Sequence, residues 1–342
     1  MFVAELATTL LQETAQPEPG EAASENRTWV SRPPPSSTRM FAVMKNLWLA
    51  CVVAALSLAA SPQSAATRPH ITGIDHVAFY TTDADGVKKL YGDILGLASS
   101  DPVEPGESFR YLAGTQWVGY RPAPDPKATE RMDHVGFATD NIGALRRYLV
   151  EKGFKPSQIV GLSDHSLSFA IKDPEGHPLE FVERAKGETA PPAPNAVSHR
   201  LIHAGFLVYD RAAEDHFYLE VLGFRPYWHG GMKDNQTDWL SLQVPDGSDW
   251  LEYMLNQPAH PDLRLGGVMN HVSLGVADMK QAQAALESHG WKAQGEEHAQ
   301  MGRDGKWQLN LYDPDRTRVE LMEFKPAQKP CCSDFTAAHP SE

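Results

Sequence analysis

Three cysteines in 342 residues are too few to staple a fold of this size, so a disulfide framework is excluded. Basic charge is also scarce. Lys and Arg number 31 against 44 Asp and Glu, and the formal net charge of -13 leaves no clustered cationic face for nucleic acid or anionic lipid. No apolar run approaches the roughly 20 residues that cross a bilayer as a helix; the longest, Leu47 to Ala60, has about 14. A Gly-x-Ser-x-Gly elbow is absent, and Gly230-Gly231 and Gly266-Gly267 lack the strand-before, helix-after context of a phosphate loop.

The first 66 residues read as an extension and a signal peptide. A basic start at Lys45, the apolar run and the small residues Ser64-Ala65-Ala66 suit cleavage before Thr67. Residues 1–43 are rich in Pro, Ser and Thr without a period, and a start at Met40 or Met44 gives a conventional secretory signal. Export, periplasmic or secreted, is therefore expected, with no membrane contact after cleavage. Cys51 leaves with the signal. Cys331 and Cys332 lie in a segment without periodicity, 325–342, expected as a disordered tail, where a metal or redox role for the pair is weakly supported.

What is present is a repeat. One local pattern recurs four times, as Ile74-Asp75-His76-Val77-Ala78-Phe79, Met132-Asp133-His134-Val135-Gly136-Phe137, Leu201-Ile202-His203-Ala204-Gly205-Phe206 and Met269-Asn270-His271-Val272-Ser273-Leu274. Twenty residues after His76 and His203 stand Gly96 and Gly223; nineteen after His134 and His271 stand Gly153 and Gly290. The second and fourth units also close alike, on Asp173-Pro174 with Glu180 and Asp313-Pro314 with Glu320. Modules near 70–122, 130–184, 199–257 and 267–324 pair into domains 70–184 and 199–324, joined by a Pro-containing linker, 185–197.

Within a module the period changes in a fixed order. The His segment alternates as a strand, Met279, Ala282, Ala285 and Leu286 mark a helix, glycine stops it, and short strands with turns follow. The fold class is α+β, with four βαβββ modules paired into two cups whose concave faces can hold a ligand.

The last strands supply carboxylates. Forty-nine residues separate His203 from Glu252 and His271 from Glu320, so matched elements bring two imidazoles and two carboxylates together. Alternation gives Glu180 and Glu320 to the ligand face and sends Glu183 and Glu323 to solvent. The N-terminal half counts three, His76, His134 and Glu180, because Gln116-Trp117-Val118-Gly119-Tyr120 has no carboxylate. Two His and one Glu with open positions suit non-haem Fe(II); a retired site kept for packing is the alternative. Most of His165, His177, His216, His229 and His289 are expected at the surface.

At these residues the chain resembles the vicinal oxygen chelate superfamily of glyoxalases, bleomycin-resistance proteins and extradiol dioxygenases, over about residues 70–324. The resemblance implies a small-molecule substrate with vicinal oxygens, one divalent metal ion and a monomer or homodimer. Glyoxalase-like chemistry, the favoured reading, would use His203, Glu252, His271 and Glu320 around Zn, Ni, Co or Mn, with Glu252 as catalytic base in a lyase or isomerase, so the C-terminal cup is the expected site of chemistry and the N-terminal one the second. An extradiol-type dioxygenase would hold Fe(II) on His203, His271 and Glu320, with His260 or His298 as acid/base. A metal-free binder would use Trp239, Trp250, Tyr253 and Trp307 as a pocket.

Overall fold

A computed structural model describes residues 67–342 apart from residues 188, 190, 191 and 296. The expected extension and signal peptide lie outside the described residues. Among these, no helix is long and apolar enough to cross a membrane.

The first module runs β1 (Ile71–Thr81), α1 (Ala84–Lys88) with a π-helical continuation (Lys89–Ile94), β2 (Ala98–Ser100), β3 (Phe109–Ala113) and β4 (Gln116–Pro122). The second has β5 (Met132–Thr139), α2 (Ile142–Glu151), β6 (Val160–Gly161), β7 (Leu167–Lys172) and β8 (Pro178–Glu183). The third repeats the first, with β9 (Leu201–Leu207), α3 (Arg211–Asp215) with its own π-helical continuation (His216–Val221), β10 (Arg225–Gly230), β11 (Trp239–Gln243) and β12 (Trp250–Met254). After a linking helix α4 (Leu263–Met269), the fourth has β13 (His271–Val276), α5 (Met279–Ser288), β14 (Gln300–Met301), β15 (Trp307–Tyr312) and β16 (Arg318–Glu323). The order is βαβββ four times, as the periodicity predicts.

Two eight-stranded sheets result, ordered β2-β3-β4-β1-β5-β8-β7-β6 and β10-β11-β12-β9-β13-β16-β15-β14. In each, the two His strands pair antiparallel at the centre, and each pairs in parallel with the closing strand of its own module. The histidines and the closing carboxylates thus share neighbouring strands.

The helices begin on side-chain caps, Asp83, Asn141, Asp210 and Asp278 each accepting a backbone N–H. Gly153 and Gly290 end two of them at φ of 90° and 91°. Glu183 and Glu323 do not simply meet solvent. Their carboxylates accept the first backbone N–H groups of α2 and α5, from Ile142 and Met279, both at 2.9 Å, where a negative charge is favoured by the helix dipole.

Each Asp-Pro turn docks on the opposite domain. Asp315 accepts hydrogen bonds from Thr81 and Thr82 and pairs with buried Arg131, while Tyr120 donates to Asp313. In the reciprocal contact Glu175 receives the Tyr209 N–H and Asp173 the Tyr218 hydroxyl. His177 belongs here, donating to Asp173 at 2.7 Å, and is not a free surface group.

The expected disordered tail is a packed one. Its lack of periodicity reflects a segment held by side chains: Trp228 donates to the Cys331 carbonyl, Gln243 to that of Ala338, and Phe335 packs on Tyr227 at 4.9 Å. Cys331 and Cys332 are joined in a disulfide, so neither presents a thiolate.

Glu214 is buried at the seam, one carboxylate oxygen receiving the Glu175 N–H and the other without a hydrogen-bond partner among the described residues. Burial, with Asp173 alongside, raises its carboxyl above the usual range. The folded protein therefore holds this proton more tightly than the unfolded chain, and the group's contribution is lost as pH rises from the ordinary carboxyl range through the raised value. In urea unfolding, Glu214→Gln should be more stable than the parent by about 1–2 kcal/mol at pH ~9 and similar to it at pH ~5. A variant less stable at the higher pH would contradict this.

Candidate metal centres

The N-terminal cup owes its geometry to two bulges. In the β1–β5 register Ile74 faces Phe137 and His76 faces Gly136, skipping Asp75; Ala78 faces His134 and Phe79 faces Met132, skipping Asp133. A bulge re-aims the extra residue, so each Asp lies beside its following His rather than on the opposite face. His76 Nδ1 donates to Asp75 at 2.8 Å and His134 Nδ1 to Asp133 at 3.0 Å. Both Nε2 atoms then point inward, 2.8 Å apart, within hydrogen-bond distance of each other. Gly136 makes room for this, because a Cβ there would lie 2.2 Å from the His76 ring. Trp117 stacks on His76 at 3.9 Å and 8°.

Two carboxylates complete the cluster. Glu180 on β8 comes within 3.4 Å of His76 Nε2 and 3.7 Å of His134 Nε2. The expected count of three is corrected to four by Glu104, from the loop between β2 and β3, at 3.2 Å from His76 Nε2 and 3.4 Å from His134 Nε2. One donor atom from each of the four lies within 4.8 Å of the rest. The β4 strand has no carboxylate, as read: Gly119 faces Ala78 where Glu252 faces Gly205 in the other cup. Glu104 escaped because its loop has neither a period nor a counterpart at equal spacing.

The carboxylates around this cluster favour positive charge on its imidazoles. Burial alone would lower the His76 pKa, but Glu104, Asp75 and Glu180 outweigh it and lift it to about 10. His134 is raised against burial by Asp133 and Glu104. Glu104 moves the other way, burial opposing and the two imidazoles holding it far below the carboxylate range. Arg121 and Arg184 stand outside, pairing with Glu104 and Asp133 and with Asp75. Beside His76 and Glu104 opens a cavity of about 220 Å³, walled by Arg110, Trp117, Val182 and Arg184.

The C-terminal cup brings together the same types differently. His203 and His271 Nε2 are 3.0 Å apart, Glu320 is 3.2 Å from His203, and Glu252 lies 4.0 and 3.6 Å from the two. The bulge residue here is Ile202, which packs into an apolar cluster, and His203 Nδ1 has no hydrogen-bond partner among the described residues. His271 Nδ1 donates to the Met269 carbonyl. Arg318 Nη2 lies 2.7 Å from His271 Nε2, and Lys306 is wholly buried with its ammonium 4.5 Å from the Trp250 ring. Burial lowers both His pKa values; Arg318 and Lys306 add to this at His203, where Glu320 opposes, and Arg318 adds to it at His271. Burial and Glu320 raise Glu252 to about 8.

The proposed aromatic pocket does not form. Tyr253 is in the core, Trp250 lies tilted against His203 at 4.7 Å, and Trp307 is 37% exposed. His260 and His298 are exposed. The difference between the cups was visible in the residue before each His, Asp75 and Asp133 against Ile202 and Asn270.

The family model described as Glyoxalase/Bleomycin resistance protein/Dioxygenase superfamily matches residues 73–181 and 200–321. Among solved structures, the Mn(II)-bound glyoxalase from Novosphingobium aromaticivorans is 18% identical with a TM-score of 0.58, covering 75% of this chain and 83% of that one. An extradiol ring-cleaving dioxygenase from B. fuscum is 17% identical with a TM-score of 0.56, covering 80% and 76%. Homoprotocatechuate 2,3-dioxygenase from Arthrobacter globiformis is 18% identical with a TM-score of 0.55, covering 75% and 80%. These likenesses concern the fold. No curated relative matches the chain by sequence.

Carboxylates on the outer nitrogens of ligating imidazoles fix the tautomer and strengthen the inner donor. Asp75→Asn and Asp133→Asn should each weaken divalent-ion binding ~10–100-fold in chelator competition, with unchanged circular dichroism. Unaltered affinity in both would remove Asp75 and Asp133 from the centre.

Proposed function

Because the chain belongs to the Glyoxalase/Bleomycin resistance protein/Dioxygenase superfamily, we propose that it is a divalent-metal-dependent enzyme for a small substrate with vicinal oxygens, working in the N-terminal cup. The observation that carries this is the buried pair of facing Nε2 atoms at 2.8 Å, flanked by Glu104 and Glu180 oxygens that have no hydrogen-bond partner among the described residues. Nothing but a cation or a shared proton relieves that arrangement. Two imidazoles and two carboxylates suit Mn, Ni, Co or Zn, and His76, Glu104, His134 and Glu180 would hold the ion.

When bound, such an ion acts as a Lewis acid toward substrate oxygens, easing removal of a neighbouring C–H proton. The protein's own groups do the rest. Asp75 and Asp133 fix the rings, Trp117 walls the cavity, and Arg110 and Arg184 give it a positive rim. Glu104 is the one of these four residues that stands on a loop, and we assign it the proton-accepting role. The presence of a fourth donor favours lyase or isomerase chemistry over an extradiol-type centre, which needs two His, one Glu and open positions.

Elemental analysis should find about one divalent ion per chain, lost in His76→Ala and Glu180→Gln and kept in Glu252→Gln and Glu320→Gln. The reverse pattern would move the chemistry to the C-terminal cup. With small 2-oxo and 2-hydroxy carbonyl compounds, the holoprotein should catalyse solvent deuterium exchange at the adjacent C–H, slowed ~10²–10⁴-fold in Glu104→Gln. Oxygen uptake without exchange would replace this reading by a dioxygenase.

A further inference from the structure

In the C-terminal cup His203, His271 and Glu320 also bring one donor atom each within 4.8 Å of one another, yet two cationic side chains already stand against them. Three positions separate it from its counterpart. Ile202 stands where Asp75 stands, Arg318 opens β16 where Pro178 opens β8, and Lys306 precedes β15 where Ser166 precedes β7. Each change acts on the same small volume.

Arg318 Nη2 donates to His271 Nε2 at 2.7 Å, which uses the lone pair an ion would need, and its Nη1 lies 3.8 Å from Glu320. Lys306 is wholly buried, and its ammonium is boxed by three rings, Trp250 at 4.5 Å, Phe335 at 5.3 Å and Tyr227 at 5.6 Å. A buried ammonium is costly unless charges and ring faces compensate it. Here Asp304, Glu252 and Glu320 are its electrostatic partners. Phe335 belongs to the tail, so the chain's last residues close the box.

We infer that the C-terminal cup is a metal-free counterpart of the N-terminal centre, in which Lys306 and Arg318 supply the positive charge an ion would otherwise bring. Its histidines and carboxylates then serve as a charge-balanced plug under the tail rather than as a second centre. The count of ions rests on the N-terminal reading; the character of this cup does not.

Mn(II) binding counted by electron paramagnetic resonance tests it. The full-length wild-type chain should saturate at one ion, and Lys306→Met with Arg318→Gln should raise the number to two. In a His76→Ala background, which lacks the first ion, the same pair of changes should take the count from zero to one. Saturation of the wild type at two ions, or a folded double variant that gains none, would overturn the inference. Should the double variant fail to fold, His271→Gln alone decides: loss of the wild-type ion there also overturns it. A wild-type chain that binds nothing, with a gain in the double variant, would sink the N-terminal reading and leave this one standing.

Discussion

Two imidazole nitrogens held about 3 Å apart at the crossing of two central strands form the constraint around which both halves of this protein are organised. The rings are buried at the middle of an eight-stranded sheet, and two imidazole nitrogens at that distance need a proton or a cation between them. The N-terminal half surrounds the pair with carboxylates and leaves the positive charge to be supplied; the C-terminal half turns a guanidinium onto one of the rings and parks an ammonium nearby. Identical topology therefore carries two electrostatic solutions.

The strand pairing makes that constraint unavoidable. A His that faces a Gly on the neighbouring strand needs the missing side chain to lie flat: a Cβ at Gly136 would meet His76 at 2.2 Å, and one at Gly205 would meet His271 at 2.0 Å. The glycine of one module thus seats the imidazole of the other. Each cup is consequently a joint product of two modules, and a single module would have half a site and an unpaired central strand.

Fold and repeat were legible because they are written in periods. The βαβββ order and the Asp-Pro turns come from side chains at regular spacing, and the structure follows them. The site was legible where it obeys the same register, as with Glu180 and Glu320, and illegible where it departs from it. Glu104 sits in a loop with no repeat partner. Arg318 and Lys306 look like ordinary charged residues beside a strand until the sheet curls them inward. The Asp before His76 and His134 was in plain view, but strict alternation would have sent it to the opposite face, and only the bulge puts it on the ring. The tail, likewise aperiodic, is ordered by contacts too distant in the chain to leave a local pattern.

The reciprocal docking of the Asp-Pro turns bears on how such a duplicated chain can change. Each domain's closing turn is capped by hydroxyls and backbone groups of the other, so the halves are not free to drift apart as independent copies. The interiors of the cups carry no such obligation. After duplication, the shared seam would hold the paired architecture in trust while one interior exchanged its ligands for fixed charges, leaving a tandem protein that is two-fold in its scaffold and single in its chemistry.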